Sequence, residues 1–171
     1  DGVLMDDVAI LRLATDARGR DRYVMLTNPA NTVRVKSWLR GLGDGYILFD
    51  REDIFRKVEG PVTVEDASED ELPDPAARRI SLALVGPGAL ALLQTLGVPE
   101  LGEGAVWHGK LNSIEVTAAR LSYGVGDSRC ELLVHPDQAV ALWAELIEAG
   151  ALPRGPELSQ SLRERAGLPD Y

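Results

Sequence analysis

Two short apolar runs open the chain, Val8-Ala-Ile-Leu-Arg-Leu-Ala14 and Arg22-Tyr-Val-Met-Leu-Thr27, parted by the polar stretch Asp16-Ala-Arg-Gly-Arg-Asp21. This pattern predicts a β-hairpin. Asn31 is placed to cap a helix over 32–42, in which Val35, Trp38, Leu39 and Leu42 recur at helical spacing before Gly43 stops it. A glycine-rich break at 41–45 follows, then the apolar run Tyr46-Ile-Leu-Phe49 and the pair Ile54-Phe55, which starts another turn or strand. Pro61-Val-Thr-Val-Glu65 alternates as a strand should.

The second half restarts with Arg79-Ile-Ser-Leu-Ala-Leu-Val85, a predicted strand that runs into Gly86-Pro87-Gly88 and an apolar helix ending near Leu96-Gly97. Pro87 suits the first turn of that helix. Strands are predicted near 104–108 and 112–123, then a polar turn over 124–128 and a strand over 129–134. Pro136 opens the clearest helix, with Val140, Trp143 and Ile147 on one face, Leu146 beside them and Gly150 past its end. A last helix runs over about 156–166. The order mixes strands and helices without strict βαβ alternation, which predicts an α+β fold with mixed or largely antiparallel sheets covered on one side by helices. Residues 76–171 read as a split β-α-β unit, and residues 1–75 as a similar unit lacking its opening strand and helix.

Charge narrows the possible partners. The 171 residues carry a formal net charge of −9, and residues 51–75 hold nine acidic against three basic side chains. The excess is thus mostly one stretch, Glu65 to Asp74, read as a solvated acidic loop. Nucleic-acid affinity rests on clustered Lys and Arg, so a nucleic-acid partner is not expected. No apolar run reaches the length of a membrane span, so no membrane partner is expected either. Cys130 is the one cysteine and cannot form an internal disulfide, which suits a reducing cytoplasm. With His108 and His135 the only imidazoles, no metal site is expected. The chain starts at Asp1 and ends at Leu-Pro-Asp-Tyr171, which reads as the central piece of a longer protein.

The residues themselves offer few candidates for chemistry. Gly86-Pro-Gly88 stands where a phosphate-cradling turn would stand but lacks a third glycine and a Walker lysine, and reads better as a plain tight turn. Asp6-Asp7 precedes an apolar strand, where one carboxylate beside another can serve as a base or cation anchor, or simply as a capping pair. Glu131 shares a strand face with Arg129 and Leu133, and a solvent-facing role is the plain alternative. Arg163 flanks the Leu158/Leu162 stripe of the last helix.

A series of weak motifs in one order makes more of these residues. Gly2-Val-Leu-Met-Asp6-Asp7-Val-Ala-Ile, then Tyr23-Val-Met-Leu-Thr-Asn28-Pro-Ala-Asn31, resembles the Gly-Gly-(apolar)₂-Asp-Asp-(apolar)₃ and Val-Val-Asn-Ala-x-Asn segments of the glycine-cleavage T-protein (aminomethyltransferase) superfamily. Asp66-Ala-Ser68 with Ile80-Ser-Leu-Ala-Leu-Val-Gly86-Pro87, Arg120-Leu-Ser-Tyr123-Gly through Glu131, and Ser161-Leu-Arg163-Glu-Arg-Ala-Gly167-Leu-Pro169-Asp-Tyr171 resemble later motifs of that family. Where the family pattern writes Gly-Tyr before the glutamate, this chain has Arg129-Cys130.

The resemblance implies ferredoxin-like units of an aminomethyltransferase folate-binding domain and a tetrahydrofolate-dependent aminomethyl or methyl transferase. It implies tetrahydrofolate as cofactor, and a small-molecule or lipoyl-carried one-carbon donor. It places Asp7 at the catalytic aspartate, Asp6 and Asn28 in the folate pocket, and Tyr123, Glu131 and Arg163 around the pterin. A carboxylate accepting from the pterin amino and ring N–H groups would supply a two-point contact. A non-catalytic folate-binding protein of the iron–sulfur cluster maintenance branch is the alternative function. The same resemblance implies that an N-terminal segment or a partner chain completes the fold and covers apolar surface near Val8–Leu13.

Overall fold

The computed structural model describes residues 4–60, 62–68, 72–121 and 128–167. It is α+β with antiparallel sheets, as the order of elements predicts. Strands β1 (Ala9–Leu13) and β2 (Arg22–Leu26) form a two-stranded sheet. Between them the Asp16 carboxylate accepts the backbone N–H groups of Arg18 and Arg20 at 2.8 and 2.9 Å. The Arg20 N–H is the main reason that this carboxyl is held down at a pKa of about 2. In β1, Ala9 and Leu11 are buried and Ile10 between them is exposed. Among the described residues, 4–9 and 25–66 form one compact unit and 10–24 with 67–167 form the other.

The smaller unit is built on helix α1 (Thr32–Gly43). Of the predicted stripe, Val35 is fully buried, Leu39 and Leu42 are half-buried, and Trp38 is exposed. The strand expected at 61–65 is not found: the described residues 62–66 form no regular element and join no sheet. Side chains of α1 hold this segment instead. Arg40 Nε and Nη2 donate to the Val64 carbonyl at 3.1 and 2.9 Å, and Lys36 Nζ pairs with the Asp66 carboxylate at 3.3 Å. Period-two alternation marks extended backbone, and only a neighbouring strand turns extended backbone into a ladder.

The larger unit carries a four-stranded sheet of β3 (Ile80–Val85), β4 (Val106–Leu111), β5 (Ile114–Leu121) and β6 (Arg129–Val134), in the order β3-β6-β5-β4 and antiparallel throughout. Helices α2 (Ala89–Thr95), α3 (Pro136–Glu148) and α4 (Pro156–Arg165) complete it. The strands expected near 104–108 and 112–123 are in fact a tight hairpin. Asn112, at φ +51°, and Ser113 make a two-residue turn between the paired Leu111 and Ile114.

Pro87 lies outside α2 rather than in its first turn, because Gly88 is the N-cap. The Gly86 N–H donates to the Ser128 carbonyl at 2.9 Å, which carries the β3–β6 ladder one residue further, and Gly86 turns the chain at φ +126° before it can coil.

One face of the sheet presents Leu82, Leu84, Cys130, Leu132, Val134, Val116 and Ala118, and on it pack Leu93 of α2 and Leu142 and Leu146 of α3. Here α3 departs from expectation. Its packed stripe is Ala139, Leu142 and Leu146, whereas Val140, Trp143 and Ile147 face outward. Both stripes are apolar at the spacing i, i+3, i+7, one residue apart, so periodicity alone favoured the wrong one by about 100° of helix rotation.

Two measurements probe this core. Cys130 is fully buried in β6, and burial pushes its thiol pKa up against a smaller downward pull from Arg120. Alkylating reagents will therefore leave it unlabelled in the native protein even at mildly alkaline pH, and label it at the rate of global opening. Rapid native labelling would contradict the packing. On β4, the Trp107 ring folds over Gly109, where a Cβ would stand 2.1 Å from Cζ2. Gly109→Ala will displace the indole and lower stability by about 1–3 kcal/mol, read by urea denaturation.

No helix among the described residues is long and apolar enough to cross a membrane.

Candidate functional site

Two carboxylate centres emerge, one in each unit. In the smaller unit Asp6 is the hub. Its Oδ1 accepts the Asp7 backbone N–H at 3.0 Å and the Asn31 Nδ2 at 3.4 Å, and its Oδ2 accepts the Asn28 backbone N–H at 2.9 Å. Asn28 is half-buried, and its own Oδ1 accepts the Ala30 N–H at 3.1 Å, folding an Asx turn. The Asn28 carbonyl then accepts the Asn31 N–H at 2.9 Å and the Thr32 hydroxyl at 3.3 Å. One carboxylate thereby ties the segment before β1 to the loop that starts α1.

Asn31 occupies the N-cap position but caps nothing with its side chain, which is turned toward Asp6. Bridging two segments 25 residues apart takes precedence over capping. Asp6, Asp7 and Asn28 are thus brought together, with the Asp7 main chain fixed by Asp6. Three donors from its own chain engage the Asp6 carboxylate, which fixes the main chain at Asp7 and at Asn28.

In the larger unit Glu131 is the hub. It lies on the sheet face opposite the core, where the register sets it between Ala83 of β3 and Ala119 of β5. Its plain reading as a solvent-facing residue is wrong: only 4% of its surface is exposed. The charge is buried in a pair. Arg129 Nε and Nη2 both donate to Oε1, at 2.8 and 2.6 Å, and the Ser81 hydroxyl donates to Oε2. Charge-assisted bonds of this kind offset the desolvation that would otherwise expel a carboxylate.

Arg129 follows from the sequence, since residues i and i+2 share a strand face. Ser81 does not, because it stands 50 positions away and meets Glu131 only through the β3–β6 register. Sequence reasoning put Arg129 on the face of Glu131 and passed over Ser81.

Arg163 sits in the last turn of α4, half-buried beside half-buried Leu162, while Leu158 is exposed. Tyr123 lies outside the described residues. Gly86-Pro87-Gly88 is the plain turn, followed by a helix of seven residues. Among the described residues no three His, Cys, Asp or Glu side chains are grouped to hold a metal ion.

What these centres can do chemically is limited and definite. The first holds a carboxylate-bearing residue, Asp7, on a fixed main chain. The second presents a neutralised Arg–Glu pair at a sheet surface, an acceptor beside a donor.

A family model described as the GCVT N-terminal domain matches residues 1–171. The chain is similar to an aminomethyltransferase of Thermus thermophilus, with 32% identity over 173 residues covering 99% of this chain and 42% of that protein. It is also similar to the aminomethyltransferases of Shouchella clausii, at 31% identity over 99% of this chain and 41% of that protein, and of Synechocystis, at 27% over 99% and 40%. The chain thus spans about 40% of the length of these curated relatives. No solved structure matches it.

Proposed function

We propose, for a chain that belongs to the GCVT N-terminal domain family, that it forms part of a tetrahydrofolate-dependent aminomethyl or methyl transferase. The reaction class is transfer of a one-carbon unit from a small-molecule or lipoyl-carried donor to tetrahydrofolate. The relatives described above are named aminomethyltransferases, which supports a transferase over a non-catalytic folate-binding module.

The observation that carries this reading is the Asp6 clamp. Asp6 fixes the backbone on either side of the site through the Asp7 and Asn28 N–H groups. Asp7 is then the residue at the transfer centre, where a preorganised carboxylate stabilises the iminium-like or protonated amine that develops during transfer. Asp6 and Asn28 line the folate pocket, and Asp6 also positions Asp7 through its backbone N–H. Glu131 accepts N–H groups of the pterin edge, with Arg163 and Tyr123 the further residues proposed to hold the ring. The lone buried thiol of Cys130 suits the reducing cytoplasm in which we place the protein.

The test is a calorimetric titration of the intact protein with tetrahydrofolate, followed by an assay of one-carbon transfer from a lipoyl-carried aminomethyl donor. Binding with turnover supports the transferase. Binding without turnover from that donor or from methylated amines supports the binding module, and no binding sinks both.

A further inference from the structure

The Glu131 centre has one feature that the family pattern does not supply: an arginine two residues before the glutamate, where that pattern writes glycine. Arg129 spends two of its five N–H donors, on Nε and Nη2, on a single carboxylate oxygen. Among the described residues no other acceptor engages its guanidinium, and 28% of its side chain is open to solvent while Glu131 beneath it is buried. Ser81 holds the second oxygen. On the neighbouring strands Ala83 and Ala119 stand opposite Glu131, and Val85 and Leu121 opposite Arg129, so small side chains flank the carboxylate alone.

Two consequences follow from charge and geometry. An unpaired buried carboxylate would draw in a cation or an edge made of donors alone, such as a protonated diamino-substituted ring. A carboxylate already neutralised by a forked guanidinium gains little from a second cation, which would have to approach Arg129 as a like charge. What complements the pair is a neutral edge with a carbonyl beside an N–H: the carbonyl takes a guanidinium N–H left over by Glu131, and the ring N–H reaches a lone pair of the carboxylate.

The geometry points to Arg129 as the residue that decides which heterocycle this site accepts, selecting the neutral 2-amino-4-oxo edge of a pterin over the all-donor edge that a 2,4-diamino ring presents when it is protonated. This rests on the folate reading given above and deepens it by naming a specificity-determining residue. Ser81 is the matching positioning residue, since its hydroxyl fixes the carboxylate oxygen that Arg129 does not touch.

The test compares tetrahydrofolate with its reduced 2,4-diaminopteridine counterpart, at a pH that keeps the diamino ring protonated, by calorimetric titration of the intact wild-type protein, Arg129→Gln and Arg129→Lys. Both rings are read on the same folded fraction, so partial loss of folding in a variant cancels from the ratio of affinities. Wild type is expected to favour the oxo ring by about tenfold or more, the value of one hydrogen bond to a charged group. Arg129→Gln should shift the ratio toward the diamino ring by about tenfold or more. Arg129→Lys should shift it the same way but less, about threefold, because a point charge replaces the fork. An unchanged ratio in both variants, with both rings bound, overturns the role of Arg129 and leaves the folate reading standing. No binding of either ring to wild type removes the folate reading, and this proposal with it.

Discussion

Replacing Asp7 with Asn lowers the rate of one-carbon transfer to tetrahydrofolate by about a hundredfold or more and leaves the affinity for tetrahydrofolate within about threefold. The substitution keeps size and hydrogen-bonding reach, removes the charge and replaces one acceptor oxygen by an NH₂ donor. On the proposed mechanism that charge faces a cationic centre present during transfer and absent from resting folate, so kcat falls and binding stays. Asp6 makes the contrast informative. Its carboxylate holds the Asp7 and Asn28 backbone N–H groups and the Asn31 amide, so an Asp6 substitution disturbs the loop itself and moves stability together with rate. A turnover in Asp7→Asn equal to wild type would remove Asp7 from the transfer centre.

How much of this was legible in the chain differs between the fold and the site. Elements bounded by strong local chemistry were read closely. Pro136, two residues after Val134, marks both the end of β6 and the start of α3, and Gly43 ends α1. Elements that depend on a partner were not. The 62–66 segment has strand alternation but is held by Arg40 and Lys36 of a helix rather than by a strand. The site divides in the same way. Arg129 and Glu131 alternate on one strand and could be paired from spacing, whereas Asp6 with Asn28, 22 residues apart, and Ser81 with Glu131, 50 apart, meet only after the chain has folded. Local pattern encodes which backbone forms; the identity of the hydrogen-bond partner is a tertiary fact.

Leu142→Ala is expected to destabilise the chain by about 2–5 kcal/mol, while Trp143→Ala, one position along the same helix, costs about 1 kcal/mol or less. Large apolar side chains are commonly the core, and a tryptophan would ordinarily be the more damaging loss. The order is reversed here because α3 is seated on Leu142, fully buried against the β-sheet, while 45% of Trp143 remains in water. Removing Leu142 loses the transfer free energy of its side chain and leaves a cavity that the close-packed Leu93, Leu132 and Leu146 can only partly fill. Removing Trp143 trims a surface that is half solvated in the folded state. Urea denaturation of the 171-residue chain and the two variants measures both values. A larger loss for Trp143→Ala than for Leu142→Ala would mean that α3 packs on its Val140, Trp143 and Ile147 stripe. That would turn the helix by about 100° and put Leu142 and Leu146 on the outside.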